Sequence, residues 1–255
     1  MTRARPDAAV TTRTPKHEPE PEPRGSEGKR VLLHQEIIQC QACPRLVKWR
    51  EQVAHEKRPR FADWDYWARP VPGFGDPAAR LVIVGLAPAA HGANRTGRVF
   101  TGDRSGDFLF EALHRRGLCN QPRSFSKDDG LVLRDTFILT PLRCAPPDNR
   151  PLPVELTRCM PFFDRELALL PRAKVVVALG AIAFDAYLAH AKRLGRNVAS
   201  GPRPRFAHGA EHLVGKHVLL ASYHVSQQNT QTGRLSPSMF DGVLVRAQTL
   251  VREHA

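Results

Sequence analysis

Four stretches of the chain are almost continuously apolar: Leu81–Leu86, Thr136–Thr140, Lys174–Leu179 and His217–Ser222. A strand with one wet face alternates apolar and polar side chains, so unbroken runs predict central parallel strands covered on both sides. Between them the spacing changes to that of a helix. Asp107–Leu113 places apolar groups four apart and stops near Gly117, and Gly180 opens a second such stretch over Ala181–Leu188. Strands alternating with helices predict an α/β fold: a three-layer α/β/α sandwich around a central, mostly parallel four-stranded sheet.

The amino-terminal part is patterned differently. Val31–Trp67 combines helical periodicity with Cys40, Cys43 and all three tryptophans, and reads as a small helical cap ahead of the sheet. Arg69–Asp76 is dense in proline and glycine and reads as turns. Residues 1–28, with Pro15, Pro19, Pro21 and Pro23 among charged residues, offer little to bury and read as a disordered tail. Residues 29–255 then form one domain. No apolar run approaches the ~20 residues that cross a membrane, and Met1–Ala9 is charged without the apolar core of a secretory signal. The expectation is a cytoplasmic monomer with no membrane partner.

Charge narrows the partner. Lys and Arg number 38 against 25 Asp and Glu, a formal +13. The first 30 residues hold seven bases and five acids, so the excess belongs to the folded part. Such a surplus suits a polyanion, nucleic acid above all, with plain solubility as the alternative.

Chemistry-bearing residues follow the first and fourth apolar runs. Gly85-Leu86-Ala87-Pro88-Ala89-Ala90-His91-Gly92 would turn backbone amides toward an anion or a carbonyl. Arg95 and Arg98 then make a basic stretch suited to DNA, and Phe100-Thr101-Gly102-Asp103 sets a flat apolar ring beside a carboxylate. Asp103 also stands where a helix N-cap belongs, and the two roles are compatible. His224 closes the fourth run, where an imidazole can donate to a developing negative charge. After it come Gln227, Gln228 and Arg234, suited to phosphates and base edges. Open α/β sheets bind ligands at the carboxyl ends of their strands, so these blocks read as two lips of one base-handling site.

Four of the five cysteines make a set, Cys40-x2-Cys43 and Cys144-x14-Cys159, with Cys119 left as a small buried residue. A closed four-thiolate site suits either zinc or an iron–sulfur cluster, and unligated core cysteines are the third option.

At these residues the chain resembles the family 5, B-type uracil-DNA glycosylases. Gly85–Arg98 with Phe100–Asp103 is similar to the family's first motif, and Tyr223–Ser226 with Gln228–Leu235 to its last. Arg143-Cys144-Ala145-Pro146-Pro147, Asn149 and Pro151 are similar to the segment beside its cluster. The resemblance covers roughly residues 34–251. It implies a [4Fe–4S] cluster on Cys40, Cys43, Cys144 and Cys159, and a pocket in which Asn149 reads the uracil edge and Phe100 stacks on its face. It further implies that the amides of Gly85, Leu86 and Ala87 hold a carbonyl oxygen. The family lacks a polar residue where this chain has Ala87, which leaves Asp103 to position water or steady the cationic sugar and His224 to receive the uracil anion. The implied reaction flips uracil, and other deaminated bases such as hypoxanthine, out of DNA and hydrolyses the N-glycosidic bond. An abasic site is left for base-excision repair by a nucleoid-associated protein. Two alternatives stand beside it: a non-catalytic iron–sulfur protein that captures damaged DNA, and a zinc-bound nucleotide hydrolase.

Overall fold

A computed structural model describes residues 25–196 and 203–254. Six strands form one sheet: β1 (Phe74–Gly75), β2 (Leu81–Val84), β3 (Thr136–Leu139), β4 (Val175–Leu179), β5 (Glu211–Val214) and β6 (His217–Ser222), in the order β1-β3-β2-β4-β6-β5. The inner four are those the apolar runs predict, and they are mutually parallel. The expected four-stranded sheet is corrected to six by two antiparallel edge strands. Neither edge has an apolar run. β1 is two residues long, and β5 carries Glu211 and His212 beside a half-exposed Leu213.

The even coverage predicted for the inner strands is observed. Leu81, Ile83, Val175, Val177 and Leu220 enter one core with α4 (Arg104–Arg115) and α8 (Pro237–Glu253). Val82, Val84, Val176, Ala178 and Leu219 enter the other with α5 (Pro153–Ala168) and α6 (Ala181–Arg193). Each fully buried aliphatic or phenyl side chain here contributes about 1.5–3 kcal/mol. Three further helices precede α4 in the chain: α1 (Gly25–Gln39), α2 (Pro44–Glu56) and α3 (Ala93–Thr96).

The helical cap is α1 and α2, and α1 lies on α5. Because α1 begins at Gly25, residues 25–28 are helical and not part of a tail; the remaining expectation, for residues 1–24, lies outside the described residues. Among the described residues no helix is long and apolar enough to cross a membrane.

Candidate active site

The parallel strands β2, β4 and β6 end side by side, and a residue of the candidate site follows each. Gly85 follows β2, Gly180 follows β4, and His224 stands two residues beyond β6. Both glycines are required by close approach. A Cβ on Gly85 would lie 2.7 Å from Phe100 Cζ, and one on Gly180 would lie 3.2 Å from His224 Cβ. The Phe100 ring therefore rests on the turn after β2, with its centroid 6.3 Å from the His224 ring and tilted 33° to it. Phe100 reaches this place through a left-handed backbone, φ +53°.

Asp103 is the N-cap of α4, its Oδ1 accepting from Gly106 N at 3.0 Å. Its carboxylate lies against the bare Cα of Gly92, where any Cβ would fall on Oδ2. Burial raises the Asp103 carboxyl above its ordinary value, opposed by the amides of Gly106 and Ser105 and by the Arg95 charge. Burial pushes His224 the other way, down to about 4, so the imidazole is neutral at pH 7. Its carbonyl accepts from Asn229 Nδ2 at 2.8 Å, and among the described residues no hydrogen bond engages its ring nitrogens.

Leu86 and Ala87 are half-buried on the same turn. Leu86 O accepts from Leu142 N at 3.3 Å, and Ala87 packs on Leu46, Leu142 and Cys159. Gln227 and Gln228 are exposed on a short helix, α7 (Gln227–Gln231), capped by Ser226. Arg234 is exposed too, its guanidinium 4.7 Å above the Tyr223 ring. Asn149 occupies an exposed turn with φ +56°, and its side chain makes no hydrogen bond among the described residues.

Two of the residues expected on DNA are placed elsewhere. Arg95 is 3% exposed: its guanidinium is held 3.9 Å from Phe61 and 4.0 Å from Trp64, and donates to His91 O and Gly102 O, each at 2.9 Å. Arg98 is 5% exposed and donates to Asp129, Ser124 and Thr101. Both are interior props, because partners distant in sequence enclose them. Tyr66 and His91 form a further pair that the sequence did not single out, with Tyr66 Oη 3.0 Å from His91 Nδ1.

The four cysteines come together. Cys40 follows α1, Cys43 caps α2, Cys144 follows β3 and Cys159 lies in α5, and all four line one cavity. Three arginines, Arg50, Arg143 and Arg158, line it as well. Arg50 Nη1 donates to Cys144 Sγ at 3.1 Å, and Arg143 N to Cys159 Sγ at 3.3 Å. Burial raises the Cys144 thiol to about 11 and the Cys159 thiol to about 12, so neither ionises at neutral pH without a bound cation. Among the described residues no three His, Cys, Asp or Glu side chains converge to hold a single ion. Arg143 also lies 2.7 Å from the buried Glu166, and against the opposing effect of burial it, His34 and Gly73 N hold that carboxyl below its ordinary value.

A doubly covered, mostly parallel sheet with Phe100, Asp103 and His224 gathered about the carboxyl ends of its strands defines an α/β protein of the kind that takes its ligands at that edge. Comparison of its sequence with known proteins gives the family. Residues 72–248 match the model of the Uracil DNA glycosylase superfamily. A type-5 uracil-DNA glycosylase of Thermus thermophilus is 53% identical over 222 residues, 87% of this chain and 98% of that one. Another from Mycobacterium tuberculosis is 50% identical over 228 residues, 89% and 83% of the two chains. A type-4 enzyme of Thermotoga maritima is 32% identical over 158 residues, 62% and 65% of the two. The chain belongs to the uracil DNA glycosylase superfamily, on its type-5 branch.

Proposed function

We propose that this enzyme swings a uracil nucleotide out of DNA, stacks the base on the Phe100 ring with the amides of Gly85–Ala87 at one of its carbonyl oxygens, and hydrolyses its N-glycosidic bond. The observation that carries this is the placement of Phe100 beside His224 at the ends of β2 and β6, with Asp103 three residues on. The bond from the sugar C1′ to the base breaks, and its electron pair leaves with uracil as an anion. His224, neutral, donates a hydrogen bond to that anion; a charged imidazolium is not needed. Water adds to C1′ and gives up a proton. A carboxylate whose proton affinity is raised by burial is the better acceptor for it, and it also steadies the positive charge on the sugar. Asn149 completes the reading as the group that meets the uracil edge, a role taken from the family resemblance.

A [4Fe–4S] cluster is the second part of the proposal, held by Cys40, Cys43, Cys144 and Cys159. Thiols ringing a cavity rather than meeting at a point fit a polynuclear group, and the three arginines offset the charge of four thiolates. The cluster would serve as a structural tie between the helical cap and the sheet. Iron and acid-labile sulfide in equal amounts in the purified protein support it; zinc in place of iron restores the single-ion reading.

The base range is tested by incubating the protein with oligonucleotides carrying uracil, hypoxanthine or only normal bases. Free uracil is expected, with hypoxanthine released more slowly and normal bases retained. Intact bonds throughout, with damaged DNA still bound, would leave a capture protein in place of an enzyme. The reaction needs one copy of the chain, so a monomer at work on the nucleoid is part of the same reading.

A further inference from the structure

Between α4 and β3 the chain forms a two-armed excursion whose tip stands at the rim of the site. Arg134 N donates to Leu118 O at 2.8 Å, Asn120 N to Val132 O at 3.1 Å, and Cys119 is bridged to Leu133. α4 carries the chain away from Asp103, and Thr136 opens β3 beside the start of β2 at Leu81, so the arms begin at the opposite end of the sheet from the site. Their tip returns to it. Gly102 N donates to Ser124 O at 2.8 Å, and Ser124 Oγ lies 2.7 Å from Thr101 Oγ1.

The next residue is Phe125, 56% exposed and the only Phe, Tyr or Trp among the described residues that is exposed rather than half-buried or buried. Its backbone has little freedom. Asp129 accepts from Phe125 N at 2.7 Å, Ser126 N at 3.3 Å and Leu131 N at 3.0 Å, and Arg98 ties Asp129, Ser124 and Lys127 O together. A mobile loop could lay the ring on apolar surface; this one holds it out. Arg123 and Lys127 are exposed on either side, and Arg104 is exposed on the first turn of α4. Exposed Asp128, 3.8 Å from Lys127 Nζ, tempers that charge.

An apolar ring between two cations, beside a pocket that receives an extruded base, fits duplex DNA: the cations meet phosphates and the ring enters the stack. We propose that Phe125 is a wedge that opens the base stack of duplex DNA next to the target nucleotide and keeps it open while the base occupies the pocket. This rests on the base-flipping reading above. It assigns Arg98, the second of the first motif's two arginines, to building the wedge, with no DNA contact of its own.

The test compares single-turnover uracil release from duplex and from single-stranded oligonucleotides, and the fluorescence of 2-aminopurine placed beside the uracil. For Phe125→Ala, release from duplex should slow by about tenfold, the worth of one stacking contact. Release from the single strand should keep the native rate, and the fluorescence rise on duplex binding should disappear. Phe125→Trp should restore both. Native duplex rates in Phe125→Ala, or equal losses on both substrates, would overturn the wedge. Should the native protein cut neither substrate, the glycosylase reading falls, and the fluorescence alone decides the wedge: a rise that depends on Phe125 upholds it, and one that does not removes it.

Discussion

His224 and Asp103 lie in surroundings that move their proton affinities in opposite directions, and both movements suit the proposed chemistry. Burial holds His224 at about 4, so a pH profile of kcat/KM should show no inflection at the ordinary histidine value of 6.5. Burial raises Asp103 above 3.8, so activity should fall on an acid limb lying above that value as the carboxylate takes up a proton. An inflection at the ordinary histidine value that vanishes in His224→Ala would contradict the neutral imidazole. At this scale the sequence was most informative where a residue touches the site through its neighbours. The placements of Asp103 and His224 were legible because a capping position and a strand end fix them, whereas Phe100 reaches the same edge through its left-handed backbone. Arg95 and Arg98 were not. Their short spacing reads as flexible and basic, and nothing local reveals that Phe61, Trp64 and Asp129 converge to enclose them. Asn149 was named through the resemblance alone, and its exposed turn adds no independent support.

Among the elements, the turn from β2 to α4 carries the sharpest constraint. In Gly92→Ala the new methyl would occupy the place of the Asp103 carboxylate, which must swing off its cap. Uracil release by Gly92→Ala should fall about a hundredfold, the lower range for loss of a positioned acid or base, with DNA affinity kept; an unchanged rate would show that Asp103 need not sit there. A second prediction concerns α6 and β6. Tyr187 Oη lies 2.6 Å from His217 Nδ1 between them, and burial pushes His217 down to about 3. Its folded value is below its unfolded 6.5, so the stability it contributes is full above 6.5 and is lost as pH falls toward 3. Between those values stability should decline with a slope approaching about 1.4 kcal/mol per pH unit from this group, and His217→Asn should flatten urea-midpoint against pH. The inner strands were readable because burial on both faces writes a continuous apolar run. β1 and β5 were missed because an edge strand needs no such run, and two residues or a mixed pattern carry no signal.

For the whole molecule, charge and the cysteine hub decide how the parts cooperate. With Arg95 and Arg98 inside, the cations left for DNA are surface ones, among them Arg234 at the second lip. Arg234→Ala should lower the slope of log K against log salt by about 1. Arg98→Met should leave that slope alone and lower the melting temperature. The four cysteines stand where the cap meets the sheet, and Ala87 of the turn after β2 packs on the same apolar cluster as Cys159. On the proposed cluster reading, removing iron should therefore loosen the cap and that turn together, seen as faster amide exchange over both. The central claim is that one carboxylate and one imidazole act on a single extruded uracil. It is tested most directly by single-turnover release of uracil from a uracil-containing duplex by native protein, Asp103→Asn and His224→Ala, with binding of the same duplex measured alongside. The account predicts losses of about a hundredfold or more in each variant with affinity retained. Near-native release by Asp103→Asn would contradict it.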